Sequence, residues 1–111
     1  MSGLYTSGDW NVKHGEAESF IEAWSDLAEW TIAHVAGCTF AKLLRNDADP
    51  QRFLSFSPWR DAEAVNTWRE LPGFAARVEQ IQPTLVTFDP RTMNIVAEAG
   101  TPTPDPWHGT P

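Results

Sequence analysis

The chain holds a single cysteine, Cys38, among 111 residues, so no intramolecular disulfide can form. A lone thiol fits a reducing compartment, and a cytoplasmic location is expected. Positive charge is scarce. Eight Lys and Arg stand against fifteen Asp and Glu, giving a net charge of −7, and no basic run appears. Nucleic-acid binding needs clustered cations, as does attraction to an anionic membrane surface; neither partner is expected. No apolar stretch approaches a membrane span, and no positive segment followed by an apolar run marks a secretory leader. The three histidines, His14, His34 and His108, have no ligand spacing among them, so no metal site is expected. Ser55 and Ser57 lack any neighbouring motif that would mark a nucleophile.

Large aromatic residues are plentiful. Six tryptophans and six phenylalanines supply much apolar area for so short a chain, and the length suits one compact domain over 1–99. Residues 100–111 hold four of the nine prolines and read as an extended, flexible tail, with Trp107 an odd occupant.

The pattern alternates strands and helices. Leu4 to Lys13 reads as a strand, with Leu4, Gly8, Trp10 and Val12 on one side and Tyr5, Ser7, Asp9 and Asn11 on the other. Gly8 marks a bulge or a close approach to the backbone. Glu16 to His34 is an amphipathic helix with Phe20, Trp24, Leu27, Ala28 and Thr31 on its apolar face, stopped by Gly37; Trp30 lies off that stripe. Thr39–Arg45 and Arg52–Trp59 form a hairpin around the polar turn at 46–50, and Cys38 is expected to be a small buried strand residue. Leu85 to Glu98 is the last strand, with a bend or bulge at Asp89-Pro90. The order β-α-β-β-α-β predicts an α+β, ferredoxin-like fold: a four-stranded antiparallel sheet with helices on one face.

Both faces of this sheet read as apolar. Phe53 and Trp59 oppose Leu54 and Phe56, Leu43 opposes Leu44, and Met93 and Ile95 oppose Val96. Helices cover one face. The other needs cover as well, and a second copy of the same face is the simplest. A homodimer through sheet faces is therefore expected.

The richest stretch runs from Ser55 to Phe74, S-F-S-P-W-R-D-A-E-A-V-N-T-W-R-E-L-P-G-F. Asp61 can cap a helix, with Glu63 at the positive end of its dipole. Val65, Trp68 and Leu71 share a face of that helix, and Pro72 opens a second one carrying Phe74, Val78 and Ile81. A strand-end Trp59 followed by a helical Trp68 resembles the antibiotic biosynthesis monooxygenase family of dimeric α+β barrels. The W-N-V-K-H-G-E and F-I-E-A-W segments strengthen the resemblance, which spans roughly residues 4–98.

The resemblance implies a cofactor-independent monooxygenase acting on a small phenol or quinol in an apolar pocket. The non-enzymatic alternative is a dimeric binding or accessory protein on the same fold. Family members that degrade haem carry an asparagine in the first strand and a histidine ten residues after the helical tryptophan. Gly8 and Val78 occupy those positions here, so haem lacks its anchor and no cofactor is expected. Polyphenol oxygenases carry a tyrosine six residues after that tryptophan and an asparagine one turn before it; here these are Phe74 and Ala64. The resemblance places Trp68, Phe74, Trp24, Trp10 and Trp59 as pocket residues. No catalytic group is assigned. His14 is a candidate because imidazole is a base suited to neutral pH, and Arg77 because a guanidinium can bind a substrate oxygen; an exposed turn residue and a surface ion pair are their plainer roles.

Overall fold

A computed structural model describes residues 3–100. The expected tail, Trp107 included, lies outside the described residues apart from Gly100. The elements are β1 (Leu4–Val12), α1 (Ala17–His34), β2 (Lys42–Arg45), β3 (Arg52–Trp59), α2 (Ala62–Glu70), α3 (Pro72–Ile81), a 3₁₀ turn (Gln82–Thr84) and β4 (Leu85–Asn94). The sheet order is β2-β3-β1-β4 with every neighbour antiparallel. This is the expected α+β, ferredoxin-like arrangement.

Local chemistry explains the joints. Gly15, at φ +82°, turns β1 into α1 in a conformation costly for any residue with a Cβ. Asp61 Oδ1 accepts the backbone N–H of Ala64 at 2.8 Å and caps α2. Leu71 is extended, at ψ 136°, and Pro72 starts α3 at its first turn. Trp30, off the apolar stripe of α1, packs on α3: a Cβ built at Gly73 would stand 2.3 Å from its ring, and the Arg77 guanidinium lies 4.8 Å from the ring centroid.

Five local expectations are corrected. β2 begins at Lys42, not Thr39. The preceding segment is tied elsewhere, since Gly37 O accepts Arg60 N at 2.8 Å and the Cys38 thiol reaches Phe40 O at 3.5 Å. Cys38 is buried, but in this loop, and burial raises its thiol pKa. Gly37 is not a left-handed helix stop; it lies where a Cβ would meet Ala64 Cβ at 2.5 Å, so its role is close packing on α2. β4 runs unbroken through Pro90, and the irregularity falls at Val86, where Asn11 pairs Thr87 but Val12 pairs Leu85. β4 is an edge strand, where proline is tolerated. It ends at Asn94, opposite Leu4 at the start of β1, not at Glu98, and beyond it Ile95 N bonds to Gly3 O.

Two buried clusters hold helices to sheet. Trp10, Val12, Phe20, Leu27, Phe53 and Ile81 form one. Val35, Cys38, Trp59, Ala64 and Val65 form the other. Trp68 packs against both. The opposite sheet face carries Tyr5, Phe56, Leu54, Leu44 and Met93 together with Asp9, Asp89 and Arg91, so it is mixed rather than uniformly apolar. Leu44, Leu54 and Met93 are 50%, 46% and 48% exposed there.

Candidate functional site

Antiparallel register sets the inner sheet face as four rows across β3, β1 and β4. Phe53, Trp10 and Phe88 make one row; Trp59, Leu4 and Asn94 make the row at the far end. The two rows between them are Ser55–Gly8–Pro90 and Ser57–Thr6–Thr92. Small side chains in the middle of a face bounded by rings leave a hollow. A cavity of about 550 Å³ lies above these rows, within the usual range of about 300–1,000 Å³ for small-molecule sites.

Helices roof it. Trp24, Leu27, Ala28 and Thr31 come from α1, Trp68 and Arg69 from α2, and Phe74, Val78 and Ile81 from α3. All five aromatic residues expected at a pocket therefore border one cavity: Trp10 and Trp59 as end walls, Trp24, Trp68 and Phe74 above. Trp68 meets Trp59 with ring centroids 4.8 Å apart and Phe74 edge-on at 4.6 Å. Trp10 stacks on Phe88 at 3.9 Å. The cavity opens beside β4, where Phe88, Pro90 and Thr92 are exposed.

Three indole N–H groups are anchored on hydroxyl oxygens. Trp10 Nε1 donates to Ser55 Oγ, Trp59 Nε1 to Thr6 Oγ1, and Trp68 Nε1 to Thr31 Oγ1, each at 2.9 Å. Thr31 Oγ1 in turn donates a hydrogen bond to Leu27 O at 2.8 Å. Burying an indole without a partner is costly, so these hydroxyls fix the rings as well as lining the space. Gly8 is needed beneath them: a Cβ there would stand 2.8 Å from both Ser55 Oγ and Trp10 Nε1.

The sequence of the antibiotic biosynthesis monooxygenase family, as a family model, matches residues 6–80. The chain belongs to this family. No curated protein matches it by sequence. Among solved structures it resembles a variant of SnoaB, a cofactor-independent oxygenase from Streptomyces nogalater, with TM-score 0.78 and 18% identity over 86% of this chain and 94% of that one. It also resembles PA3566 from Pseudomonas aeruginosa, with TM-score 0.74 and 18% identity over 87% and 97%. A conserved protein from Methanosarcina mazei Go1 gives TM-score 0.76 and 15% identity over 85% and 93%. At these identities the structures share a fold.

In this antibiotic biosynthesis monooxygenase family member, neither candidate catalytic residue borders the cavity. His14 is exposed in the turn after β1. Arg77 is held between Trp30 and Asp26, whose Oδ2 lies 3.4 Å from its Nε, and it donates to Gly73 O at 3.3 Å. Of the positions where other family members carry polar groups, Gly8, Phe74 and Val78 do border the space. Ala64 instead packs on Gly37. The sequence reading missed the hydroxyls of Thr6, Ser55, Ser57 and Thr92, and it missed Arg69. A signal for two of them was present: period two puts Ser55 and Ser57 on the same side as Phe53 and Trp59.

Proposed function

We propose that this chain is a cofactor-independent monooxygenase for a small phenol or quinol held in the cavity beside Trp68. The observation that carries the reading is the shape and chemistry of that space. It has aromatic walls above a floor of hydroxyl groups and a volume of about 550 Å³. Family membership supports the reaction class. An electron-rich ring that has lost a proton can pass one electron to O₂. The ring radical and superoxide then combine at a ring carbon to give a hydroperoxide. Loss of water from a CH–OOH group leaves C=O, one oxygen atom entering the product and the other leaving as water. The protein's share is to exclude bulk water and hold the ring in one orientation.

The mixed outer face, with Leu44, Leu54 and Met93 about half exposed, supports pairing of two copies through their sheets. An obligate interface of this kind buries more than about 2,000 Å². Sedimentation at micromolar concentration is expected to give a dimer, and a species of only 12.4 kDa would contradict it.

Oxygen consumption with a panel of dihydroxynaphthalenes and anthrones tests the activity. Uptake above the buffer rate, lost in Trp68→Ala, is expected. A specific observation favours a second reading, in which the protein binds such rings without oxidising them. Among the described residues, the lining contains no carboxylate, imidazole, amine, thiol or phenol to take a proton. Quenching of tryptophan fluorescence by panel members without oxygen uptake would establish that reading instead.

A further inference from the structure

We propose that the cavity selects its aromatic ligand in the phenolate form, with Arg69 as the residue that recognises the charge. This rests on the reading of the cavity as an aromatic-binding site and adds the ionic state of what enters it.

Two observations converge. The first is the want, among the described residues, of any proton acceptor of ordinary basicity in the lining. A phenol entering in its neutral form would keep its proton, because burial in apolar surroundings favours the uncharged state. The electron transfer to oxygen described above needs the ionised ring. The proton must therefore leave to solvent, and the site must prefer what remains.

The second is that the lining offers donors placed to supply that preference. Arg69 and Arg91 are the cationic residues that border it among the described residues, and the Arg91 side chain belongs to the opposite sheet face. Arg91 is committed to Asp89 Oδ2. Arg69, by contrast, has no ion pair or hydrogen bond to any described residue. On the floor, Ser55 Oγ and Thr6 Oγ1 each accept an indole N–H, and neither hydroxyl proton is spent on another described group. A hydroxyl that already accepts a hydrogen bond is the better donor for it. An exposed arginine at the border and two O–H donors on the floor are thus available to an anion, and no anionic side chain stands among the described lining residues.

Arg69 has a plainer role, since a cation in the last turn of α2 complements the helix dipole. That role would not alter the protonation of a bound molecule, which gives the test. The probe is 4-nitro-1-naphthol, whose phenolate absorbs at longer wavelength than its neutral form; its methyl ether cannot ionise. Binding is read from quenching of tryptophan fluorescence, and ionisation from visible absorbance at the probe's own midpoint pH. A tenfold preference for the phenolate would raise its fraction from about one half to about nine tenths at saturating protein. The ether should bind about tenfold more weakly than the phenolate.

Arg69→Gln should remove most of the absorbance rise, Arg69→Lys should keep part of it, and Lys13→Gln, with the same loss of charge away from the cavity, should leave it unchanged. A fall in the phenolate fraction, or no change, with quenching intact would overturn the anion preference and leave aromatic binding standing. A rise that survives Arg69→Gln would overturn the assignment of Arg69. Absence of quenching by probe and ether alike would overturn this proposal together with the aromatic-binding reading beneath it.

Discussion

One inner sheet face is solid at one end and hollow in its middle, and the same helices cover both. At the solid end Phe53, Trp10 and Phe88 lie side by side. Phe20 fills the remaining space, its ring 4.9 Å from Phe53 and 5.2 Å from Trp10. Two residues further along each strand the side chains shrink to Ser55, Gly8 and Pro90. The helices do not sink to fill the gap, because the solid end and the Trp59–Val65 cluster hold them up on either side. Aromatic content alone therefore does not tell core from pocket. What separates them is the size of the residues sharing a row.

The largest expected effect comes from opposing large-to-small changes in the two regions. Phe20 is fully buried, so Phe20→Ala should cost about 3–5 kcal/mol. Trp68→Ala removes a bigger side chain yet should cost less than Phe20→Ala, because one side of the ring already borders open space. It should nonetheless abolish probe binding. Calorimetric melts rank the two, and an equal or greater loss at Trp68 would mean that the ring is core.

Adding volume inverts the comparison. Val12 is fully buried in the solid end, and Val12→Phe should destabilise by about 1–3 kcal/mol through overpacking. Val78 borders the cavity, so Val78→Phe should leave the melting temperature nearly unchanged and weaken fluorescence-detected binding at least about tenfold, because the new ring takes the ligand's place. Equal destabilisation by both would show that the space over Ser55 and Gly8 is not free to be filled.

The smallest effect is electrostatic and lies outside both regions. The Ala64 N–H, its first cause, and then Arg60 hold the Asp61 carboxyl below its ordinary value of 3.8. A lowered folded-state value means that the cap's contribution is complete above the ordinary value and is lost as pH falls through the folded one. Asp61→Ala should lower the melting temperature at pH 7, and the gap from the unmutated protein should close in strong acid. A gap that stays constant down to strong acid would show that ionisation of Asp61 does not matter to the cap.

Much of this arrangement was legible in the chain. The order of elements along the chain, the Asp61 cap, the Pro72 start and the five ring-bearing residues all follow from periodicity, end signals and family resemblance. Element ends were harder. Cys38 and Phe40 have strand-like neighbours, yet the backbone there bonds to Arg60 and to itself instead of to β3. Pro90 suggests a break until the sheet order shows that it lies on an edge. The hollow was encoded as well, in two serines and a glycine between tryptophans. Seeing it requires the register between β1 and β3, a long-range pairing that no local window contains. Arg69 was hidden for a similar reason. A cation near the end of a helix has a sufficient local explanation, and only the tertiary fold brings it to the border of the cavity.

The three indole–hydroxyl bonds have a thermodynamic consequence for any molecule that enters. Tryptophan rings beside an unfilled space would ordinarily sample several rotamers and could swing inward to close it. Here Trp10, Trp59 and Trp68 are each tethered by a directional bond. Their freedom is already given up in the empty protein. A ligand is then spared an ordering cost of about 0.5–1.5 kcal/mol for each side chain that it would otherwise have to immobilise. Association with such a preformed apolar space is expected to be enthalpy-driven at room temperature, with the negative heat-capacity change that marks burial of apolar surface.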